Sequence, residues 1–101
     1  MPLSVDGALL RLKDDDDVAV ALRALAPGTS VRFGDGSTVE VREAIPAGHK
    51  LALRAVAAGA AIHKYGQVIG RASAAIAAGT HVHVHNVEGI RGRGDLEAAA
   101  R

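Results

Sequence analysis

Residues 81–86 read His-Val-His-Val-His-Asn, which places three of the chain's five histidines one residue apart. In an extended strand alternate side chains leave opposite faces, so His81, His83 and His85 share one face and Val82 and Val84 the other. The valines anchor and the imidazoles are presented. Neighbours two apart on one face sit roughly 7 Å apart at Cα, close enough for two imidazoles to converge on one metal ion or one anionic substrate. A half-buried strand whose polar face simply carries histidine is the plainer alternative. The third histidine, followed at once by Asn86, weighs against it.

The elements that must position these rings belong to a chain of 101 residues, enough for one domain with a single small core. Nearly half of the residues are apolar, at 49%, but alanine dominates them, and Phe33 and Tyr65 are the only aromatics. A core so poor in large anchors favours association, with a second copy or another chain, to bury more area. The formal net charge is +1 and the basic residues are scattered without aromatic interleaving, which argues against nucleic acid as a partner. The absence of cysteine excludes disulfides, thiolate metal sites and cysteine nucleophiles. The N-terminus lacks a basic stretch leading into an apolar segment and no apolar run approaches membrane-spanning length, so a soluble cytoplasmic protein without a membrane partner is expected.

One short pattern recurs four times: Ala, an aliphatic residue, two variable positions, Gly, two more variable positions, and another aliphatic, at 24–31, 44–51, 55–62 and 75–82. Each copy fits a corner that feeds a strand, with the first aliphatic packing inward and glycine supplying a backbone position open to positive φ. The copies are unevenly spaced, so they do not make a solenoid. Strands are expected at 8–12, 30–33, 38–41, 50–54, 62–64 and 81–84, with Gly34-Asp35-Gly36-Ser37 as a tight hairpin turn. One short helix is expected at 18–25, capped by Asp17, with the acidic run 14–17 as its solvated start and Pro27-Gly28 as its stop. Four consecutive carboxylates lack the alternating spacing of a calcium loop. The glycine-rich, charged segment 88–101 reads as a flexible C-terminal arm after a domain spanning 1–87.

Gly48-His49-Lys50, Lys64-Tyr65-Gly66 followed by Ile69-Gly70, and Val82-His83-Val84-His85-Asn86 occur in this order, preceded by Asp17-Val18-Ala19-Val20-Ala21-Leu22. Together these strings resemble the SAF-type N-terminal module of altronate and galactarate dehydratases, with Asp17 where that family usually has Asn. The resemblance implies a mainly β fold, the small and contorted β-clip, in agreement with short strands and repeated corners. In many relatives the module is fused to a far larger dehydratase body. The short chain is similar instead to a split arrangement, as in the small subunit of sulfolactate sulfo-lyase, and implies a large dehydratase subunit as partner.

The family chemistry so implied is elimination from a small hydroxy acid, in which a proton beside a carboxylate is removed and a group on C3 departs. Developing negative charge there is stabilised by a divalent metal, expected to be iron or manganese and held either here or mainly by the large subunit. Neutral imidazole suits such ions, which makes His83 and His85 the preferred metal-binding candidates. His49, Lys50, Gly66 and Asn86 are the substrate-binding candidates, and Lys64, Tyr65 and His85 the catalytic ones. A desolvated lysine can act as base and Tyr65 can donate a proton to the leaving group. The expected function is therefore the small subunit of a sugar-acid dehydratase. A sulfo-lyase subunit and a non-catalytic module that holds a sugar acid or metal are the alternatives.

Overall fold

The computed structural model describes residues 3–13 and 15–89. Among these residues nine short strands follow one another: β1 (Leu9–Leu10), β2 (Val18–Ala21), β3 (Ser30–Arg32), β4 (Thr38–Glu40), β5 (Lys50–Ala52), β6 (Ala61–Lys64), β7 (Gln67–Ala72), β8 (His81–Val82) and β9 (Val87–Glu88). They form a four-stranded sheet in the order β1-β2-β5-β8, a β3-β4 hairpin and a three-stranded sheet β6-β7-β9, and every pairing is antiparallel. The mainly β architecture expected for an SAF-type β-clip is the one observed. No helix among the described residues is long and apolar enough to cross a membrane.

The short helix expected at 18–25 is not present, and its place is taken by strand β2. Val-Ala-Val-Ala alternates with a period of two, and its β-branched residues fit a pleated surface better than a helix. A helix of two turns would also be marginal without strong packing. As a strand the segment is sandwiched between β1 and β5 and buries both faces, with Val18 in one hydrophobic cluster and Ala19 and Ala21 in the other. On β5, Leu51 and Ala52 divide in the same way, so the β2-β5 ladder is a wall common to two small cores. One core gathers Leu9, Leu25, Val31, Phe33, Val41, Ile45 and Leu51, and the other Val56, Ile62, Ile76 and Val82.

The four corners share one hydrogen-bond scheme. In each, the residue after glycine donates its N–H back three positions, Thr29 to Ala26, His49 to Pro46, Ala60 to Ala57 and Thr80 to Ala77. Gly28, Gly48, Gly59 and Gly79 all have φ between 83° and 87°, the geometry of a type II turn, which only glycine adopts without strain. Each glycine N–H then donates to a carbonyl on another strand, at Val41, Ala21, Ala72 and Ala52 respectively. The aliphatic residues that open the corners pair with one another, Leu25 with Ile45 and Val56 with Ile76. The fold is therefore two similar corner pairs set against the shared wall.

The hairpin turn at 34–37 is present: the Asp35 carboxylate accepts the Ser37 N–H and hydroxyl and pairs with Arg11 at 3.0 Å. These hydrogen bonds from Ser37, reinforced by Arg11, hold the Asp35 carboxyl down at about 2. The acidic run is not a solvated helix start. Asp16 is fully buried and accepts the backbone N–H groups of Lys13, Tyr65 and Gly66, while Asp17 accepts the His63 N–H instead of capping a helix. At the end of the chain Glu88 pairs with Arg71 in β9, and the rest of the expected arm, 90–101, lies outside the described residues.

Candidate functional site

β5 follows directly from the second corner and β8 from the fourth, and the two strands pair with Lys50 opposite Val82 and Leu51 opposite His81. Carrying that register one residue further sets His49 against His83. Their rings stack with centroids 4.1 Å apart and planes 24° from parallel. His81 completes the group: its Nε2 lies 2.8 Å from His49 Nδ1, and its ring centroid is 5.4 Å from that of His83. The nitrogen atoms that His49, His81 and His83 can offer all lie within 4.8 Å of one another.

β8 ends at Val82, and the chain then turns. Asn86 makes that turn: its Oδ1 accepts the His83 N–H at 2.9 Å and its Nδ2 donates to the His81 carbonyl at 2.8 Å. The alternation that would place His85 beside His83 is broken, so His85 meets the cluster by its ring next to His81, with centroids 5.3 Å apart. Val84 is left 82% exposed at the tip. Partial burial, followed by the neighbouring imidazoles, lowers the pKa of both His81 and His83 from the ordinary 6.5, so both rings stay neutral at pH 7.

Beside the histidines lies a groove of about 390 Å³ lined by Lys50, Lys64, Ile69, Val82, His83, Val84, Val87 and Gly89. Lys64 reaches it from the end of β6, just before the two-residue turn Tyr65-Gly66. Both turn residues have positive φ, 56° and 75°, as a type I′ hairpin requires. Tyrosine is an uncommon occupant of that conformation, and the buried Asp16 carboxylate holds it there by accepting both turn N–H groups at 2.8 and 2.9 Å. Lys64 Nζ sits 4.6 Å from the centre of the Tyr65 ring. Desolvation, and then the charge of Lys50, lower the Lys64 pKa from 10.5, with Asp16 opposing. The face thus combines a patch of imidazoles with two lysines on a partly apolar floor, a combination suited to a small anion that also carries metal-chelating oxygens.

The family model of the altronate/galactarate dehydratase SAF domain matches residues 7–89. The chain belongs to this family. Over 71 residues, 70% of the chain, this SAF domain is 55% identical to an altronate dehydratase of Escherichia coli, of which the match covers 14%. It is 37% identical over 81 residues to an altronate dehydratase of Bacillus subtilis, covering 80% of the chain and 16% of the relative. It is also 53% identical over 49 residues to the (2R)-sulfolactate sulfo-lyase subunit alpha of Chromohalobacter salexigens, covering 48% of the chain and 52% of that subunit. The SAF domain thus spans about a seventh of the altronate dehydratases it matches and about half of the sulfo-lyase subunit.

Of the residues singled out in the sequence, the SAF fold brings His49, Lys50, Lys64 and His83 to one face, with His85 and Tyr65 at its margins. Gly66 and Asn86 stand apart in kind: the Gly66 N–H is given to Asp16 and the Asn86 amide to the backbone of its own turn. His81 was not among the metal candidates, yet it is the ring that links His49 to His83. The signal for it was available in the corners, since the second and fourth copies align Gly48 with Gly79 and so bring the residues that follow them onto paired strands. Asp16 gave no sequence signal apart from lying in an acidic run.

Proposed function

We propose that this SAF domain is the small subunit of a metal-dependent sugar-acid dehydratase, an altronate/galactarate-type hydro-lyase, and completes the active site of a separate large subunit. The observation that carries this is the shared face of Lys50, Lys64 and the histidine cluster, open to solvent on one side in a family whose relatives are named as dehydratases. The relatives named as a sulfo-lyase subunit alpha support a division of such an enzyme between chains.

In this reading the substrate is a small polyhydroxy acid whose carboxylate is held by the Lys50 ammonium group, across the groove from Lys64. His49, His81 and His83 are the residues that would hold a divalent metal, iron or manganese, which would supply positive charge to stabilise the anion formed at C2. The donor set fits such an ion, being neutral imidazole. Lys64, whose pKa desolvation lowers, takes the proton from C2 as the base, and Tyr65, on the same hairpin tip, protonates the hydroxide that leaves C3. Loss of that proton and that hydroxide as water gives an enol, which tautomerises to a 2-keto-3-deoxy acid. His85 orients the substrate from the turn after β8, and the apolar floor of Val82 and Val87 excludes water from the reacting carbons.

The test is co-expression with the products of adjacent reading frames, a large dehydratase chain being the partner sought, followed by assay of the purified complex on altronate and galactarate. Appearance of the keto acid only when both chains are present supports the reading, and full turnover by the large chain alone overturns it. The likeness to sulfo-lyase subunits favours a second reading, in which sulfite leaves in place of hydroxide. Release of sulfite from (2R)-sulfolactate by the same complex, without dehydration of the sugar acids, would select it.

A further inference from the structure

We infer that His49, His81 and His83 together form a metal site of this chain's own, taking one divalent first-row transition ion of the imidazole-preferring kind, iron(II) or zinc, without ligands from another polypeptide. It rests on the proposed function for its purpose but on this chain's geometry for its existence. Its ligand set also differs from the adjacent pair, His83 and His85, that strand alternation suggests.

Three observations carry it. The first is spacing. Two imidazole nitrogens bound to one ion at about 2.0–2.1 Å lie roughly 3.0–3.4 Å apart. His49 Nδ1 and His81 Nε2 are already 2.8 Å apart, and one nitrogen from each of His49, His81 and His83 lies within 4.8 Å of the other two.

The second is anchoring. The His49 N–H donates to Pro46 and its carbonyl accepts from Ala21, His81 lies within β8, and the His83 N–H is fixed by Asn86. Each ring is thus presented by backbone already tied at a corner, a strand or a turn. Asn86 is the positioning residue, because it binds the main chain of two of the three.

The third is burial. The rings are half-buried against one another. With three protein ligands, coordination positions remain for a chelating hydroxy acid on the side of Lys50.

The experiment uses the full chain, stripped by chelator, at pH 7.5. Cobalt(II) is titrated and its visible d–d bands are recorded, with zinc as competitor. The expected result is one equivalent bound at micromolar concentration or tighter, displaced by one equivalent of zinc. His49→Gln, His81→Gln and His83→Gln are each expected to weaken binding at least tenfold, and Asn86→Ala about tenfold. His63→Gln, far from the cluster in its contacts, is expected to bind as the parent does, and far-ultraviolet dichroism identifies any variant that fails to fold. Imidazole nitrogen NMR of the parent chain reads the ligands directly: zinc-induced shifts at His49, His81 and His83 support the site, whatever the variants do. Shifts confined to His83 and His85, or binding only at millimolar metal, overturn it. A chain that takes no metal within a complex that still dehydrates sugar acids refutes this site and leaves the proposed function standing. Stoichiometric metal in a chain whose complex has no lyase activity does the reverse.

Discussion

His49 Nδ1 and His81 Nε2 lie 2.8 Å apart although thirty-two positions separate the two residues in the chain. One of these nitrogens donates its hydrogen and the other accepts it, so the pair is a single hydrogen bond between the two rings. The arrangement follows from two corners of the same design, each delivering its histidine to one of two paired strands.

The first prediction concerns acid. Folded His81 and His83 hold a proton less readily than ordinary imidazoles, because of desolvation and then the neighbouring His49. The unfolded chain therefore binds more protons in the window below 6.5. This contribution to stability is complete above that value and is lost as pH falls toward the lowered folded values. Thermal melts of the metal-free chain between pH 8 and pH 5 should show the midpoint falling through this range. The double variant His81→Gln/His83→Gln should flatten the dependence.

Asp16 is the second. A fully buried carboxylate that accepts three backbone N–H groups leaves all three orphaned when it is removed. Asp16→Ala is expected to cost about 3 kcal/mol. Asp16→Asn, which keeps one acceptor oxygen, should cost less. Urea denaturation measures both, and a loss below about 1 kcal/mol for the alanine variant would contradict the clamp.

Two glycines with the same φ make the third prediction. At Gly28, φ +87°, an added Cβ meets nothing within 4 Å, so Gly28→Ala should carry only the cost of the left-handed backbone, about 1–2 kcal/mol. At Gly79, φ +84°, the Cβ would land on the Glu40 carbonyl oxygen and press on Arg42. Gly79→Ala is expected to destabilise by about 3 kcal/mol or more. Equal melting temperatures for the two variants would show that the corners are looser than described.

The fourth prediction links two lysines. Lys50 is the second cause, after desolvation, of the lowered Lys64 pKa. Lys50→Met should therefore raise the Lys64 pKa back toward 10.5 and move the pH dependence of kcat in the assembled enzyme to more alkaline values. KM for the sugar acid should rise about tenfold, as expected when a charge-assisted hydrogen bond is lost. An unaltered pH profile would separate the two residues.

Much of this molecule was legible in its residues, because corners are local. The Ala-aliphatic-x-x-Gly pattern prescribes a turn by glycine's φ and a packed side chain by position, and all four copies fold alike. Strand β2 was misread because two signals competed: an acidic residue before an apolar run also marks a helix start, and the period-two alternation of Val18 to Ala21 was too short to overrule it. The turn that carries His85 was not legible in the same way. Alternation assumed that the strand continued to His85, whereas the side chain of Asn86 folds back on His81 and His83 and ends it at Val82. That competition between a side-chain amide and a sheet ladder is decided by tertiary fit.

The β2-β5 ladder, with Val18 and Ala52 turned to one cluster and Ala19 and Leu51 to the other, has a mechanical corollary. A spar common to both lobes leaves no hinge between them, so the histidine face cannot open and shut by flexing within the domain.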